Sequence, residues 1–305
     1  MATPGKAPHA AAQADELAEA LARILTGGAG RVEGLRRLTG GASRETWSFE
    51  RVIGEARRPL ILRRAQGGGS PDEELAGLDP GVEGRLVGEL AEAGLPVAGV
   101  VHVLEPGDGL GRGYVMERLE GETLAPRILR RDQYADARSR LARQCGAALA
   151  AIHAARTQTG AELPAMQAAD VLAAYRQRYD AYGQARPVFE LTFRRLADNL
   201  PEPADPVLVH GDFRNGNLVV DEQGLAGVLD WELAHRGDPM EDLGWITVNS
   251  WRFGMSHRPV GGFGQRRELL QGYREASGEA GGGADEGRMR YWQLMGSLKW
   301  GVMCM

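Results

Sequence analysis

Lysine is almost missing from this chain: of 36 basic residues only Lys6 and Lys299 are lysines, and the rest are arginines. Any task that needs a cation, phosphate binding included, therefore falls to guanidinium groups, which stay charged at every working pH. Cysteine is as scarce. Cys145 and Cys304 stand far apart, which excludes a disulfide framework and a structural zinc site. No apolar run approaches the ~18 residues of a membrane span, and the first dozen residues lack the apolar centre of a signal peptide. We expect a cytoplasmic protein without a membrane partner, and the heavy use of Arg, Gly and Ala reads as bacterial. A net charge of −5 speaks against a nucleic-acid partner bound through phosphate neutralisation. There is no Gly-Lys-Ser/Thr element, so a P-loop is excluded.

What is present is an ordinary globular composition, 43% hydrophobic and 25% charged over 305 residues, enough for one large domain or two lobes. Leu17, Leu21, Ile24 and Leu25 fall at helical spacing over residues 13–26, and Gly27 and Gly28 stop that helix. From Val32 to about Leu119 the texture changes to short strands: 46–53, 59–63, 97–104 and 114–119, with one helix over 81–93. Past Gly121 the periods are helical, over 134–155, 168–182 and 189–199, with a second β patch at 206–231 inside them. We read an α+β chain of two lobes with a cleft between them. Residues 1–119 form a small antiparallel-sheet lobe and residues 120–305 a larger, mainly helical one. Gly278–Gly283 reads as a loop, and the chain stops within an apolar helical run, as if a further segment followed.

The chemistry concentrates in residues 207–232. An apolar strand delivers His210, Gly211 and Asp212 into a polar loop, the usual place for functional side chains. Asn217 follows, then a strand, a turn at Asp221–Gly224, and a return strand ending in Asp230, Trp231 and Glu232. Folding the hairpin about its turn brings Asn217 nearly opposite Asp230, with Asp212 entering from the same end. Taken singly, each of these residues is better explained as the polar end of a surface hairpin. Together they gather two carboxylates and an amide oxygen, hard ligands of the kind Mg²⁺ takes, and such a cluster is costly without a cation. A metal-dependent hydrolase would need more His or carboxylate ligands than this.

His210-Gly-Asp212 with Asn217, then Asp230-Trp-Glu232, resembles the signature of the aminoglycoside phosphotransferase and choline kinase superfamily, relatives of the protein kinases. Leu38-Thr-Gly-Gly-Ala-Ser-Arg-Glu-Thr-Trp47, Tyr114-Val-Met-Glu-Arg-Leu-Glu-Gly-Glu-Thr123 and Gly237-Asp-Pro-Met-Glu-Asp-Leu-Gly-Trp245 are similar to the branch related to the kinase-like domain fused to some acyl-CoA dehydrogenases. The resemblance runs from about residue 30 to the end. It implies a bilobal protein-kinase-like fold and a transfer of the γ-phosphoryl group of ATP, with Mg²⁺, to a hydroxyl of a small molecule. By the same resemblance Asp212 is the catalytic base, Asn217 and Asp230 hold Mg²⁺, and Glu232 sits near a second metal or the acceptor. His210 braces the loop or, equally, is a satisfied core histidine, and Asp242 ties the loop to the next helix.

In the small lobe the resemblance assigns Gly40, Gly41 and Ser43 to covering the phosphates with backbone N–H groups. Arg63 stands where the family more often has the phosphate-contacting lysine, and Glu83, one helix face with Val87 and Leu90, is its ion-pair partner. Arg64 points to the other face, and the charges of Arg57, Arg58 and Arg64 read as solvated. Glu117 and Leu119 are the adenine contacts. A non-catalytic nucleotide-binding pseudokinase is the alternative, suggested by the absent lysine; the presence of Asp212, Asn217 and Asp230 together opposes it. Between residues 165 and 200 five arginines face four acids, a balance that favours a neutral or anionic hydroxylated metabolite over a polycationic aminoglycoside, and the resemblance to the acyl-CoA dehydrogenase-linked branch implies a hydroxy-acid or hydroxyacyl acceptor. Gly107–Gly113 has the wrong spacing for a dinucleotide fingerprint and reads as a hairpin loop. Cys145, Trp245, Trp251, Trp292 and Trp300 read as packing.

Overall fold

The computed structural model describes residues 7–38, 44–65, 77–278 and 285–305. The chain divides into two units, residues 1–92 with 98–119 and residues 93–97 with 120–305.

In the first unit, helix α1 (Ala7–Thr26) precedes strands β1 (Arg31–Leu38), β2 (Arg44–Ile53) and β3 (Ala56–Ala65). Helix α2 (Pro80–Glu92) then leads to β4 (Val100–Val103) and β5 (Gly113–Glu117). The strands form one antiparallel sheet in the order β1-β2-β3-β5-β4. Alternation along the strands decides which face each side chain takes. Phe49, Leu60, Leu62 and Val115 bury themselves under Leu17 and Leu21 of α1. Ile61, Tyr114 and Met116 take the opposite face with Ala98. The register aligns Thr46 with Arg63 and Arg63 with Tyr114, so these cross-strand neighbours share that second face. The Gly107–Gly113 stretch lies in the β4–β5 connection, as its spacing suggested. Arg57 is not merely solvated: the β2–β3 hairpin sets its guanidinium 2.7 Å from Glu33 and 3.0 Å from Glu50. Arg58 likewise pairs with Glu117.

The second unit holds α3 (Ala125–Arg130), α4 (Ala135–Ala154), α5 (Gln158–Glu162), α6 (Ala168–Ala181) and α7 (Pro187–Ala197). Strands β6 (Val207–Val209), β7 (Leu218–Asp221), β8 (Gly224–Val228) and β9 (His235–Gly237) follow, then helices α8 (Met240–Trp245), α9 (Arg266–Ser277) and α10 (Glu286–Met303). β6 pairs with β9 and β7 with β8, both antiparallel. Cys145 is fully buried in α4, and burial pushes its thiol pKa up, so it is an inert core residue.

Two glycines let α4 and α9 cross closely. A Cβ at Gly146 would lie 2.0 Å from the Leu269 carbonyl oxygen, and one at Gly272 would lie 2.0 Å from that of Arg143. Backbone cannot yield as a side-chain tip can. Gly146→Ala is therefore expected to destabilise the protein by about 1–3 kcal/mol despite the better helix propensity of alanine. A denaturant midpoint equal to that of the wild type would show that the helices do not depend on this contact.

α8 and α10 are joined by a buried ion pair. Lys299 Nζ lies 2.9 Å from Glu241 Oε1, and His235 Nε2 lies 3.3 Å from Glu241 Oε2. Burial alone would raise the Glu241 carboxyl; the Lys299 and His235 charges outweigh it and hold the pKa at about 2. A carboxyl depressed in the folded state contributes stability above its unfolded pKa and loses it as pH falls through the folded value. The stability gap between wild type and Lys299→Met, about 3–5 kcal/mol at neutral pH for a broken buried pair, is thus expected to narrow as pH falls from 4.5 to about 2. A gap independent of pH in denaturant titrations across that window would overturn the assignment.

Candidate active site

In the second unit, β6 ends in the buried pair Leu208 and Val209, and the chain then turns sharply at His210, Gly211 and Asp212. Gly211 has φ of +79°, and a Cβ there would meet the Leu233 carbonyl oxygen at 2.3 Å, so glycine is obligatory. The turn is pinned from α8. Asp242, fully buried, accepts the N–H groups of His210 at 2.8 Å and Gly211 at 2.9 Å. His153 of α4 bonds the same carboxylate at 3.2 Å and is itself bonded to the Tyr273 hydroxyl at 3.0 Å. Burial would raise the Asp242 carboxyl, yet the hydrogen bond and charge of His153, with the backbone N–H of His210, hold it below the usual range.

His210 is also braced. Its Nδ1 accepts the Asp212 N–H at 3.1 Å, so the proton sits on Nε2, which donates to the Leu229 carbonyl at 3.0 Å. One neutral imidazole thereby links the loop to the far side of the hairpin. The ring packs at 4.6 Å from that of Trp231.

The Asp212 carboxylate stands within a ring of donors. Trp245 Nε1 donates to Oδ1 at 2.7 Å, Asn217 Nδ2 donates to Oδ2 at 2.7 Å, and Arg214 Nε lies 3.0 Å from both oxygens. Asn217 Nδ2 also bonds the Asp212 carbonyl at 3.0 Å. With both amide protons engaged, its Oδ1 is the group left to face a ligand.

The hairpin differs in detail from the expected register. Leu218 pairs with Val228, and the Leu229 N–H bonds the Asn217 carbonyl at 2.8 Å, so Asn217 lies opposite Leu229 rather than Asp230. A bulge between Val219 and Val220 shifts the ladder. Asp230, one residue beyond, has φ of +67°. Left-handed backbone is tolerated by aspartate but still strained, and it redirects the carboxylate at the end of the strand. The amide oxygen of Asn217 and the carboxylate of Asp230 are hard oxygen donors that fit Mg²⁺. No group of three or more His, Cys, Asp or Glu among the described residues could hold a metal ion. A cation here would depend on further oxygens from a bound phosphate. Glu232 is partly buried two residues on, after the buried Trp231.

The first unit carries a separate cationic site. Asp79 Oδ1 accepts the Gly81 N–H at 2.8 Å at the start of α2, and one turn on Glu83 is fully buried. Arg63 Nη2 lies 3.3 Å from Glu83 Oε1, and Tyr114 donates its hydroxyl to the same oxygen at 2.9 Å. Gly84 leaves room for the Tyr114 side chain, whose Cβ an added Cβ would meet at 2.7 Å. Arg44 Nε lies 4.0 Å from Glu83 Oε2, so one buried carboxylate serves two guanidinium groups. Arg64 faces the other way, to Glu45 at 2.9 Å. The Glu117 N–H bonds the Gly99 carbonyl at 2.9 Å, its side chain pairs with Arg58, and Leu119 is partly buried at the end of the unit. Gly40, Gly41, Ala42 and Ser43 lie outside the described residues, as does most of the 278–283 stretch.

Three residues of the second-unit site escaped the sequence reading of their roles. Trp245 was read as packing, yet besides its 5.2 Å ring contact with Trp251 it bonds Asp212. Arg214 sits inside the motif and was given no task; its guanidinium lies 4.7 Å over the Trp251 ring. His153 carried no local signal, since its partner Asp242 is 89 residues away.

Over 77 residues, 24% of this chain, the sequence is 38% identical to acyl-CoA dehydrogenase family member 11 of Gallus gallus. Over 64 residues it is 38% identical to acyl-CoA dehydrogenase family member 10 of Mus musculus. These matches span only 10% and 6% of the relatives' lengths. The solved structure of a putative aminoglycoside phosphotransferase from Ralstonia eutropha superposes with a TM-score of 0.64 at 20% identity, covering 93% of this chain and 97% of the other. Macrolide 2'-phosphotransferase from Brachybacterium faecium gives 0.62 at 24% identity, covering 95% and 92%. A ternary complex of aminoglycoside phosphotransferase APH(4)-Ia with AMP-PNP and hygromycin B gives 0.59 at 19% identity, covering 93% and 90%. The fold is thus the kinase-like α+β fold of these enzymes. The profile of the phosphotransferase enzyme family matches residues 34–278, most of the length, and the chain belongs to that family.

Proposed function

We propose that the protein transfers the γ-phosphoryl group of ATP to a hydroxyl of a small molecule, with Asp212 as catalytic base. The observation that carries this reading is the Asp212 carboxylate, fixed on a loop that Asp242 clamps and hydrogen-bonded to Asn217. A binding module does not require such a base. Asp212 orients the acceptor hydroxyl and takes its proton as the oxygen attacks phosphorus. Asn217 and Asp230 hold Mg²⁺, which when bound neutralises charge developing on the phosphates. In the first unit, Arg63 binds phosphate oxygens as a rigid, permanently charged fork, kept in place by Glu83 and Tyr114. The backbone of Glu117 and Leu119 serves the adenine, and Gly40, Gly41 and Ser43 cover the phosphates.

For the acceptor, the helices between residues 165 and 200 offer five arginines and four acids. Several of these pair among themselves, Arg176 with Asp180 at 2.8 Å and with Glu190 at 2.6 Å. Such a near-neutral surface suits a neutral or anionic hydroxylated metabolite, a hydroxy acid or hydroxyacyl compound, rather than a polycation.

Asp212→Asn is expected to keep fold and nucleotide affinity while lowering kcat by about 10² or more, since base and orientation are both lost. Near-normal turnover of any active acceptor by that variant would end the assignment. Arg63→Ala is expected to weaken ATP binding tenfold or more, about 1.4 kcal/mol, with partial recovery in Arg63→Lys. Calorimetric ATP affinity unchanged by either substitution would remove Arg63 from the phosphate site. ATP binding should also depend on Mg²⁺ and lose that dependence in Asp230→Ala; equal affinity with and without the cation in the wild type would refute the metal site.

A further inference from the structure

A carboxylate offers about four lone-pair positions, two on each oxygen. At Asp212 all four are taken: Oδ1 by Trp245 Nε1 and Arg214 Nε, Oδ2 by Arg214 Nε and Asn217 Nδ2. In this arrangement no position is left to accept a substrate hydroxyl. Catalysis by Asp212 therefore requires one donor to withdraw, and the three are not equally able to do so.

Trp245 is buried in α8, with Gly296 of α10 packed against its ring and Trp251 5.2 Å away. Its single N–H cannot leave without moving that packing. Asn217 is buried and bonds both the side chain and the carbonyl of Asp212, so it is part of the loop's own frame. Arg214 is different. Its Nε divides one N–H between two oxygens at 3.0 Å each, a weaker bond than either 2.7 Å contact, and its side chain is 25% exposed. Its guanidinium plane is supported independently of Asp212 by the Trp251 ring at 4.7 Å. Neither terminal nitrogen makes a hydrogen bond to a described side chain or carbonyl. Gly216 lacks the Cβ that would stand 2.6 Å from Nη1.

We infer that Arg214 is a phosphoryl-binding catalytic residue that caps the base in the free protein and yields it when a γ-phosphate arrives. The inference rests on the phosphotransferase reading above and deepens it. Two phosphoryl oxygens match the flat guanidinium fork at least as well as one shared N–H matches the carboxylate. As Arg214 transfers to them, an Asp212 oxygen opens to the acceptor hydroxyl. That hydroxyl oxygen then forms a bond to phosphorus and its proton passes to Asp212. The bond from phosphorus to the bridging oxygen breaks, and its electron pair leaves with ADP. Arg214 stabilises the charge spread over the transferring group. The base is thereby uncovered by the γ-phosphate itself, so that a nucleoside diphosphate leaves it capped.

The experiment compares calorimetric affinities of wild type, Arg214→Ala and Arg214→Lys for AMP-PNP and for ADP, each with Mg²⁺. Arg214→Ala is expected to weaken AMP-PNP binding about tenfold or more and leave ADP binding within about twofold. Arg214→Lys, which keeps the charge and loses the fork, should recover part of the difference. With an active acceptor, kcat should fall by about 10²–10³ without a rise in acceptor KM, because an uncapped base is easier to reach. Loss of affinity shared equally by both nucleotides, or absent from both, overturns the inference while leaving the phosphotransferase reading intact. A wild-type protein that binds neither nucleotide removes both.

Discussion

Two successive N–H groups, on His210 and Gly211, point at one buried carboxylate, Asp242, at 2.8 and 2.9 Å. An uncompensated charge at such depth would cost several kcal/mol, and this one is compensated by backbone dipoles and by His153. His153 in turn needs Tyr273, whose hydroxyl burial keeps protonated with a pKa pushed up to about 12. The chain of bonds runs from α9 through α4 and α8 into the loop. Three helices distant in sequence agree on the position of one turn. Asp212 follows directly from that turn and inherits its rigidity.

Rigidity and strain are placed on opposite sides of the hairpin. Asn217 is buried and bonded twice to Asp212, whereas Asp230 sits in a left-handed conformation that costs of order 1 kcal/mol or more. The surroundings overdetermine that conformation: Leu229 is held through its N–H by Asn217 and through its carbonyl by His210, and Trp231 is buried immediately after. With both neighbours fixed, the residue between them has little freedom. A short loop thereby presents a carboxylate at a fixed place.

The parts of the site that were legible in sequence are those set by local order. His210-Gly-Asp212, Asn217 and Asp230 lie within one loop and one hairpin, so spacing sufficed to gather them. Arg63 and Glu83 were legible for a similar reason, since strand alternation and a helix face fix their directions. Register was read to within one residue, and the bulge at Val219 and Val220 is what the turn signal did not contain. The donors that surround Asp212 were less visible. Trp245 is 33 residues away and looks like any core tryptophan until its indole N–H is placed. Arg57 and Arg58 were expected in solvent and stay exposed there; what their sequence neighbourhood does not announce is the carboxylates of Glu33 and Glu117 that meet them.

The scarcity of lysine has a chemical consequence of its own. A lysine amine deprotonates often enough to attack activated carboxyl groups, and acylation removes its charge; a guanidinium does not deprotonate and is not acylated under the same conditions. Among the described residues Lys299 is the one lysine, and it is buried in an ion pair whose partners raise its pKa, leaving its amine protonated and shielded. Arg63 and Arg214, one in each unit, are guanidinium groups. Exposure to thioesters or other reactive acyl donors would leave their charges as they are.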